Sequence, residues 1–130
     1  MLVVDSNIAV EAGLSEAGFE PLADEQLVGP PLLWSETPSV LHELSWRGAI
    51  PSDLAELALS RFLKAPVKPR RYAGLARDAW EVATQLGWAK SYDAEFVALA
   101  CELDCPLLTI DARLQRGAAR LVKVVGPTEL

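Results

Sequence analysis

An α/β fold, three layers deep with helices on both faces of a central and mainly parallel sheet, is predicted by three features of the sequence. Short apolar runs, among them Leu2-Val3-Val4 and Leu107-Leu108-Thr109-Ile110, alternate with longer stretches of helical periodicity. These two runs are continuous rather than alternating, as strands buried on both faces are. Each ends at an aspartate, Asp5 or Asp111, where a strand gives way to a polar turn.

The elements follow in order. Leu2 to Val4 reads as a buried strand handing over at Asp5-Ser6-Asn7. Ile8 to Ala12 opens a helix with Ser6 or Asn7 as its N-cap, and Gly13 and Gly18 divide the region into two short helical pieces before the Pro21 loop. Gln26-Leu27-Val28 is the second strand, closed by Gly29-Pro30-Pro31. Leu33, Thr37, Val40, Leu41 and Leu44 then share a helical spacing up to Gly48. A start with Ser35 as N-cap keeps Pro38 in the first turn, where a missing N–H has no intrahelical partner to lose.

Pro51-Ser52-Asp53 opens a further helix, with Leu54, Leu57, Ala58 and Phe62 on one face. Pro66 to Pro69 holds a short edge strand, because proline is excluded from central strands. A helix over Tyr72 to Leu86 buries Leu75, Ala79, Val82, Ala83 and Leu86 and stops at Gly87. Ser91 caps the next, in which Phe96, Leu99, Ala100 and Leu103 pack inward. Cys105-Pro106 ends it before the Leu107–Ile110 strand, a helix around Leu114 to Arg120 and a last strand over Leu121 to Val125.

The 130 residues fit one domain, residues 1–130, with one core and one site. With 51% hydrophobic and 23% charged residues the composition is that of a globular chain. No apolar run reaches the roughly 20 residues that span a bilayer, and Met1 to Val4 lacks a basic n-region, so a cytoplasmic protein is expected. Cys101 and Cys105 read as buried thiols on one helix face, unable to bridge. His42 falls on an exposed helix face. Trp34, Trp46, Trp80 and Trp88 read as core and interface residues.

Ligands of an open parallel sheet sit beyond the carboxyl ends of its strands. Asp5 and Asp111 lie at that edge, and Asp93, in the first turn of the helix leading into the Asp111 strand, lies there too. Each has a simpler role available, since Asp111 fits a helix cap and Asp93 the dipole of its own helix. Two carboxylates about 4 Å apart repel by roughly 4 kcal/mol at an effective dielectric of 20, so three together call for protons or a cation. Hard oxygen donors without histidine or thiolate select Mg²⁺ or Mn²⁺, ions that polarise phosphodiesters and activate water.

The segments Val3-Val4-Asp5-Ser6-Asn7, Tyr92-Asp93-Ala94-Glu95-Phe96-Val97-Ala98-Leu99-Ala100 and Leu107-Leu108-Thr109-Ile110-Asp111-Ala112-Arg113-Leu114 together resemble the PIN-domain superfamily, and within it the VapC-type toxins of toxin–antitoxin modules. The resemblance spans nearly the whole chain and implies a PIN-like three-layer α/β/α domain with a central, mainly parallel sheet. It adds Glu36, on the helix after Pro30-Pro31, as the fourth acid. Pro38 departs from the family pattern there, and Glu43 is the alternative if the helix starts later.

By the resemblance, Asp5, Glu36, Asp93 and Asp111 hold Mg²⁺ or Mn²⁺, directly or through water, for hydrolysis of RNA phosphodiesters. Ser6, Asn7 and Thr109 orient the carboxylates. It also implies a homodimer silenced by a cognate antitoxin, for which Leu33 to Trp46 and Ser52 to Phe62 offer apolar surface. The formal charge of -6 sits awkwardly with an RNA substrate. Two basic groups, Lys68-Arg70-Arg71 and Arg113-Arg116-Arg120-Lys123, either guide a phosphate chain or are solvated faces. The rival expectation is a non-catalytic PIN-like or receiver-like binding or regulatory domain whose acids hold a structural cation or a partner. A receiver's lysine at a later strand end is absent, and Asn7 stands where a haloacid dehalogenase-like phosphatase has its second aspartate.

Overall fold

The first five residues already set the geometry of the molecule. In the computed structural model, which describes residues 1–130, Leu2–Val4 forms strand β1, buried throughout, and Asp5 caps the helix that follows, α1 (Ser6–Leu14). The cap is therefore Asp5 rather than Ser6 or Asn7: its carboxylate accepts the Ile8 N–H at 2.9 Å. α1 runs unbroken through Gly13, and one 3-10 turn at Glu20–Leu22 follows where a second helical piece was expected.

β2 (Leu27–Gly29) leads to α2 (Leu33–Trp46) and α3 (Ser52–Leu63), then to β3 (Val67–Pro69), α4 (Leu75–Leu86) and α5 (Tyr92–Leu103). β4 (Leu107–Leu108), α6 (Ala112–Ala118) and β5 (Val124–Val125) complete the chain, apart from a 3-10 turn at Pro127–Glu129. The five strands lie in the order β3-β2-β1-β4-β5 and every pair is parallel. Val3 faces Val28 on one side and Leu107 on the other, which makes β1 the central strand.

The chain steps from β1 through β2 to β3 in one direction, then crosses back over β1 to β4 and β5. Right-handed crossovers place α1, α2 and α3 on one face and α4, α5 and α6 on the other. The reversal between β1 and β4 creates a crevice at their carboxyl ends. α5 is buried almost all round, with Ala94 and Phe96 to Ala100 in the core, as befits a helix sandwiched between β1 and α4.

Several boundaries differ from the expectation, each for a physical reason. α2 starts at Leu33, not after Ser35, so Pro38 is in the helix interior, where it denies the Trp34 carbonyl its donor. α3 meets both α1 and α2, and the two contacts turn Ala55, Ala58 and Phe62 inward while Leu57 stays 47% exposed. The first full turn expected from Tyr72 is a loop, and α4 begins at Leu75. β4 stops at Leu108, leaving Ile110 45% exposed, and β5 is confined to Val124–Val125. Cys101 is exposed and Cys105, past the end of α5, is half-buried, so these free thiols are not core residues.

Trp34 packs on the Phe62 ring with centroids 5.9 Å apart, and Trp88 is half-buried, whereas Trp46 is 84% and Trp80 66% exposed. α1 crosses α3 at Gly13, where a Cβ would stand 3.0 Å from the Ala58 carbonyl oxygen. Just beyond, Arg61 of α3 donates to the carbonyls of Gly13 and Ser15 at 3.1 and 3.0 Å, tying the end of α1 to α3. Gly13→Val is expected to force the helices apart at a cost of about 1–3 kcal/mol, read as a lower urea midpoint. An unchanged midpoint would mean that the crossing is loose.

Candidate active site

Asp5 leaves β1 at the crevice and is 2% exposed. One of its oxygens takes the Ile8 N–H, and the other accepts the hydroxyl hydrogen of Thr109, the residue after β4. The parallel register that pairs Val4 with Leu108 brings these two next residues side by side. Thr109 Oγ1 in turn accepts the Asp111 N–H at 3.0 Å. One buried hydroxyl thus ties the carboxylate of β1 to the loop carrying Asp111.

Burial pushes Asp5 up from the ordinary 3.8 to about 6, and the charges of Asp111 and Asp93 add to the shift, while Thr109 and the Ile8 N–H oppose it. Asp111 does cap α6, with Oδ1 accepting from the Arg113 and Leu114 N–H groups at 2.9 and 3.2 Å. Capping and a place in the acidic centre coexist, because both bonds fall on a single oxygen. Asp93 stands in the first turn of α5 and its Oδ2 meets Arg113 Nη2 at 2.5 Å.

Glu36 enters from α2. It lies close enough to Asp93, Glu95 and Asp5 for their charges, added to its own burial, to raise its pKa, with Ser6 pulling the other way. Its Oε1 is buried and accepts no hydrogen bond. Glu43 lies two turns further along α2 and is exposed, so the helix contributes Glu36 and not Glu43 to this cluster. Ser6 sits beside Glu36, and Thr109 beside Asp5. Asn7 is exposed and hydrogen-bonds none of the acids.

Glu95, a residue of the Tyr92–Ala100 motif not expected at the site, belongs with them. Half-buried on α5, it has its pKa raised by burial and faces Glu36. Two residues along a helix ordinarily point apart, which hid it beside Asp93. The basic group at the end of the chain divides: Arg113 reaches the acids, whereas Lys123 precedes β5 and therefore lies at the opposite edge of the sheet.

The donors are carboxylates without histidine or thiolate, the set that suits a hard divalent cation. An orphaned buried carboxylate oxygen on Glu36 and a buried Asp5 that holds its proton to about pH 6 are what a site shaped for such an ion shows without it. No three of the acids already converge into a finished cage, and one of them, Asp93, pairs with Arg113. Asp5, Glu36, Asp93 and Asp111 are the residues that would ligate, directly or through water.

The chain is similar to known proteins in sequence and in fold. VapC ribonuclease Mb0985 of Mycobacterium bovis is 36% identical to this chain over 115 residues, 88% of each. The fold is that of PAE2754 from Pyrobaculum aerophilum, with a TM-score of 0.71 at 19% identity over 98% of this chain and 90% of that one. VapBC2 from Rickettsia felis, solved bound to a fragment of promoter DNA, gives 0.70 at 14% identity over 96% and 97%. A family model described as PIN domain matches residues 2–120, from β1 through the end of α6 and so across every acid of the crevice: the chain belongs to the PIN domain family.

Proposed function

We propose that this chain is an endoribonuclease dependent on Mg²⁺ or Mn²⁺, the toxin of a toxin–antitoxin pair, working in the cytoplasm as a homodimer. The observation that supports the reading is the crevice between β1 and β4, where the charges of Asp93 and Asp111 act on buried Asp5, those of Asp93 and Asp5 act on Glu36, and a buried Glu36 carboxylate oxygen has no donor. The curated relative from Mycobacterium bovis bears the name ribonuclease, and no helix here is long and apolar enough to cross a membrane.

A bound divalent ion supplies Lewis-acid polarisation of the phosphodiester and a lowered pKa for water. The chain's own part is positioning. Thr109 and the Ile8 N–H fix both oxygens of Asp5, and the α6 N–H groups fix one oxygen of Asp111, so the carboxylates are set before substrate arrives. Glu95, half-buried beside Glu36 and with its pKa raised by burial, is the carboxylate outside the ligand set that could take a proton from an attacking water. The exposed apolar side chains Trp46, Leu57 and Leu63 on α2 and α3 give an antitoxin a surface to hold.

The test is cleavage of a mixed-sequence single-stranded RNA followed on gels. Products are expected with Mg²⁺ or Mn²⁺ and none with EDTA, and Asp93→Asn should slow the reaction by at least about 100-fold. The Arg113–Asp93 pair supports a second reading, a non-catalytic binding domain in which the chain supplies its own counter-ion. Absence of both RNA cleavage and divalent-ion binding, with the fold intact, would decide for that reading.

A further inference from the structure

Beside the acidic centre lies a cavity of about 510 Å³, between the Gly87–Lys90 loop and the start of α5. Its walls include Glu36, Trp88, Lys90, Tyr92, Asp93 and Arg113. Two of these are acids of the centre, two are cations and two are aromatic. We propose that this cavity is a subsite for one nucleotide of single-stranded RNA, with Lys90 and Arg113 gripping its phosphate and Tyr92 stacking on its base. The proposal rests on the nuclease reading and adds to it the place where the strand is held.

The two aromatic residues are not equivalent. Trp88 is fixed: it packs over Gly117 of α6, where a Cβ would stand 2.7 Å from its Cζ2, and the Arg113 guanidinium carbon lies 5.8 Å from its ring centroid. The indole is thus a wall that carries the arginine. Tyr92, the first residue of α5, is 55% exposed and borders both this cavity and a smaller one of about 250 Å³ beside Glu36 and Ser39. It is the free aromatic face at the site, and every base has a π-face to set against it.

The cations answer the charge problem of the chain. A protein of net charge -6 holds RNA only where positive groups are gathered, and here two flank the acids that would act on the strand. Arg113 is held in place by its N–H on Asp111, while its side chain stays 57% exposed and pairs with a carboxylate itself 35% exposed. Such a pair is weak. A guanidinium has five donors in a planar fork, so a phosphate can take one edge while Asp93 keeps the other.

Binding is measured in EDTA, where the strand stays intact, by fluorescence anisotropy with a fluorescein-labelled 12-nucleotide oligo(A) and its abasic counterpart. Tyr92→Ala is expected to weaken oligo(A) about tenfold and leave the abasic strand unchanged. Lys90→Gln and Arg113→Gln should weaken both strands, each lowering the slope of log K against log salt by about 0.7. Lys64→Gln, before β3 at the opposite edge of the sheet, should leave that slope as it was. A loss with Lys64→Gln equal to that with Lys90→Gln overturns the subsite in favour of unspecific attraction. A Tyr92→Ala loss shared equally by the abasic strand overturns the subsite, because Tyr92 would then be touching the backbone and not a base. Wild-type cleavage in Mg²⁺ together with unaltered binding by all three site variants refutes the subsite and spares the nuclease. The reverse pattern, selective binding without cleavage, refutes the nuclease and spares the subsite.

Discussion

Asp5→Asn is expected to abolish RNA cleavage while making the metal-free protein more stable. Asp5 is the most enclosed acid of the crevice, and burial with two neighbouring aspartates pushes its pKa up to about 6. Each pKa unit corresponds to about 1.4 kcal/mol, so keeping this group ionised at pH 8 costs the folded chain about 3 kcal/mol. Asparagine has the same shape and no charge. Its carbonyl oxygen can still accept the Ile8 N–H that caps α1, and its amide can donate to the Thr109 hydroxyl. A gain of about 1–3 kcal/mol should survive the exchange, raising the melting temperature in EDTA at pH 8 by roughly 4 °C or more. Catalysis should fall below detection, because the central strand no longer contributes a carboxylate. A variant that melts lower than wild type in EDTA would show that the negative charge of Asp5 is already compensated within the chain.

The opposition between function and stability follows from where the fold puts its acids, and much of that placement is legible in the sequence. Leu2–Val4 and the Tyr92–Leu103 helix are recognisable because both are buried nearly all round and their apolar runs leave no alternative face. Asp5 and Asp111 are recognisable because each breaks such a run at the carboxyl end of a strand. Ile110 shows the limit of the same signal: an apolar run says that a segment is buried or extended, not where its ladder stops. Leu57 and Leu33 show another, since α3 and α2 are oriented and started by contacts with α1 and with the Pro30-Pro31 turn that no local pattern contains.

The acids carried by helices are less legible in the sequence than those that follow strands. Glu36 is legible only through the family resemblance, and what separates it from Glu43 is the start of α2 at Leu33. Glu95 sits behind Asp93 in the same turn and becomes visible only when α2 is laid across it. The Arg113–Asp93 pair joins residues 20 apart in sequence, on two helices, α6 and α5, whose relative angle depends on the sheet between them in the chain.

Between pH 4 and pH 7 the metal-free chain is expected to lose stability, and Mn²⁺ is expected to return it. Asp5, Glu36 and Glu95 all have pKa values raised by folding, so the native state holds protons that the unfolded chain has released. For such groups the stabilising contribution is complete below the unfolded value, near 4, and disappears as pH climbs through the folded value, about 6 for Asp5. A divalent ion competes with those protons for the same oxygens. Its benefit should therefore be small at pH 5 and large at pH 8, where saturation at 100 times Kd contributes about 2.7 kcal/mol. Melting curves with and without Mn²⁺ at the two pH values measure this directly. Asp111→Asn, which keeps the helix cap through its amide oxygen but loses the charge, should blunt the pH 8 response. If that variant responds as strongly as wild type, or if wild type responds equally at both pH values, the ion is binding somewhere other than among these carboxylates.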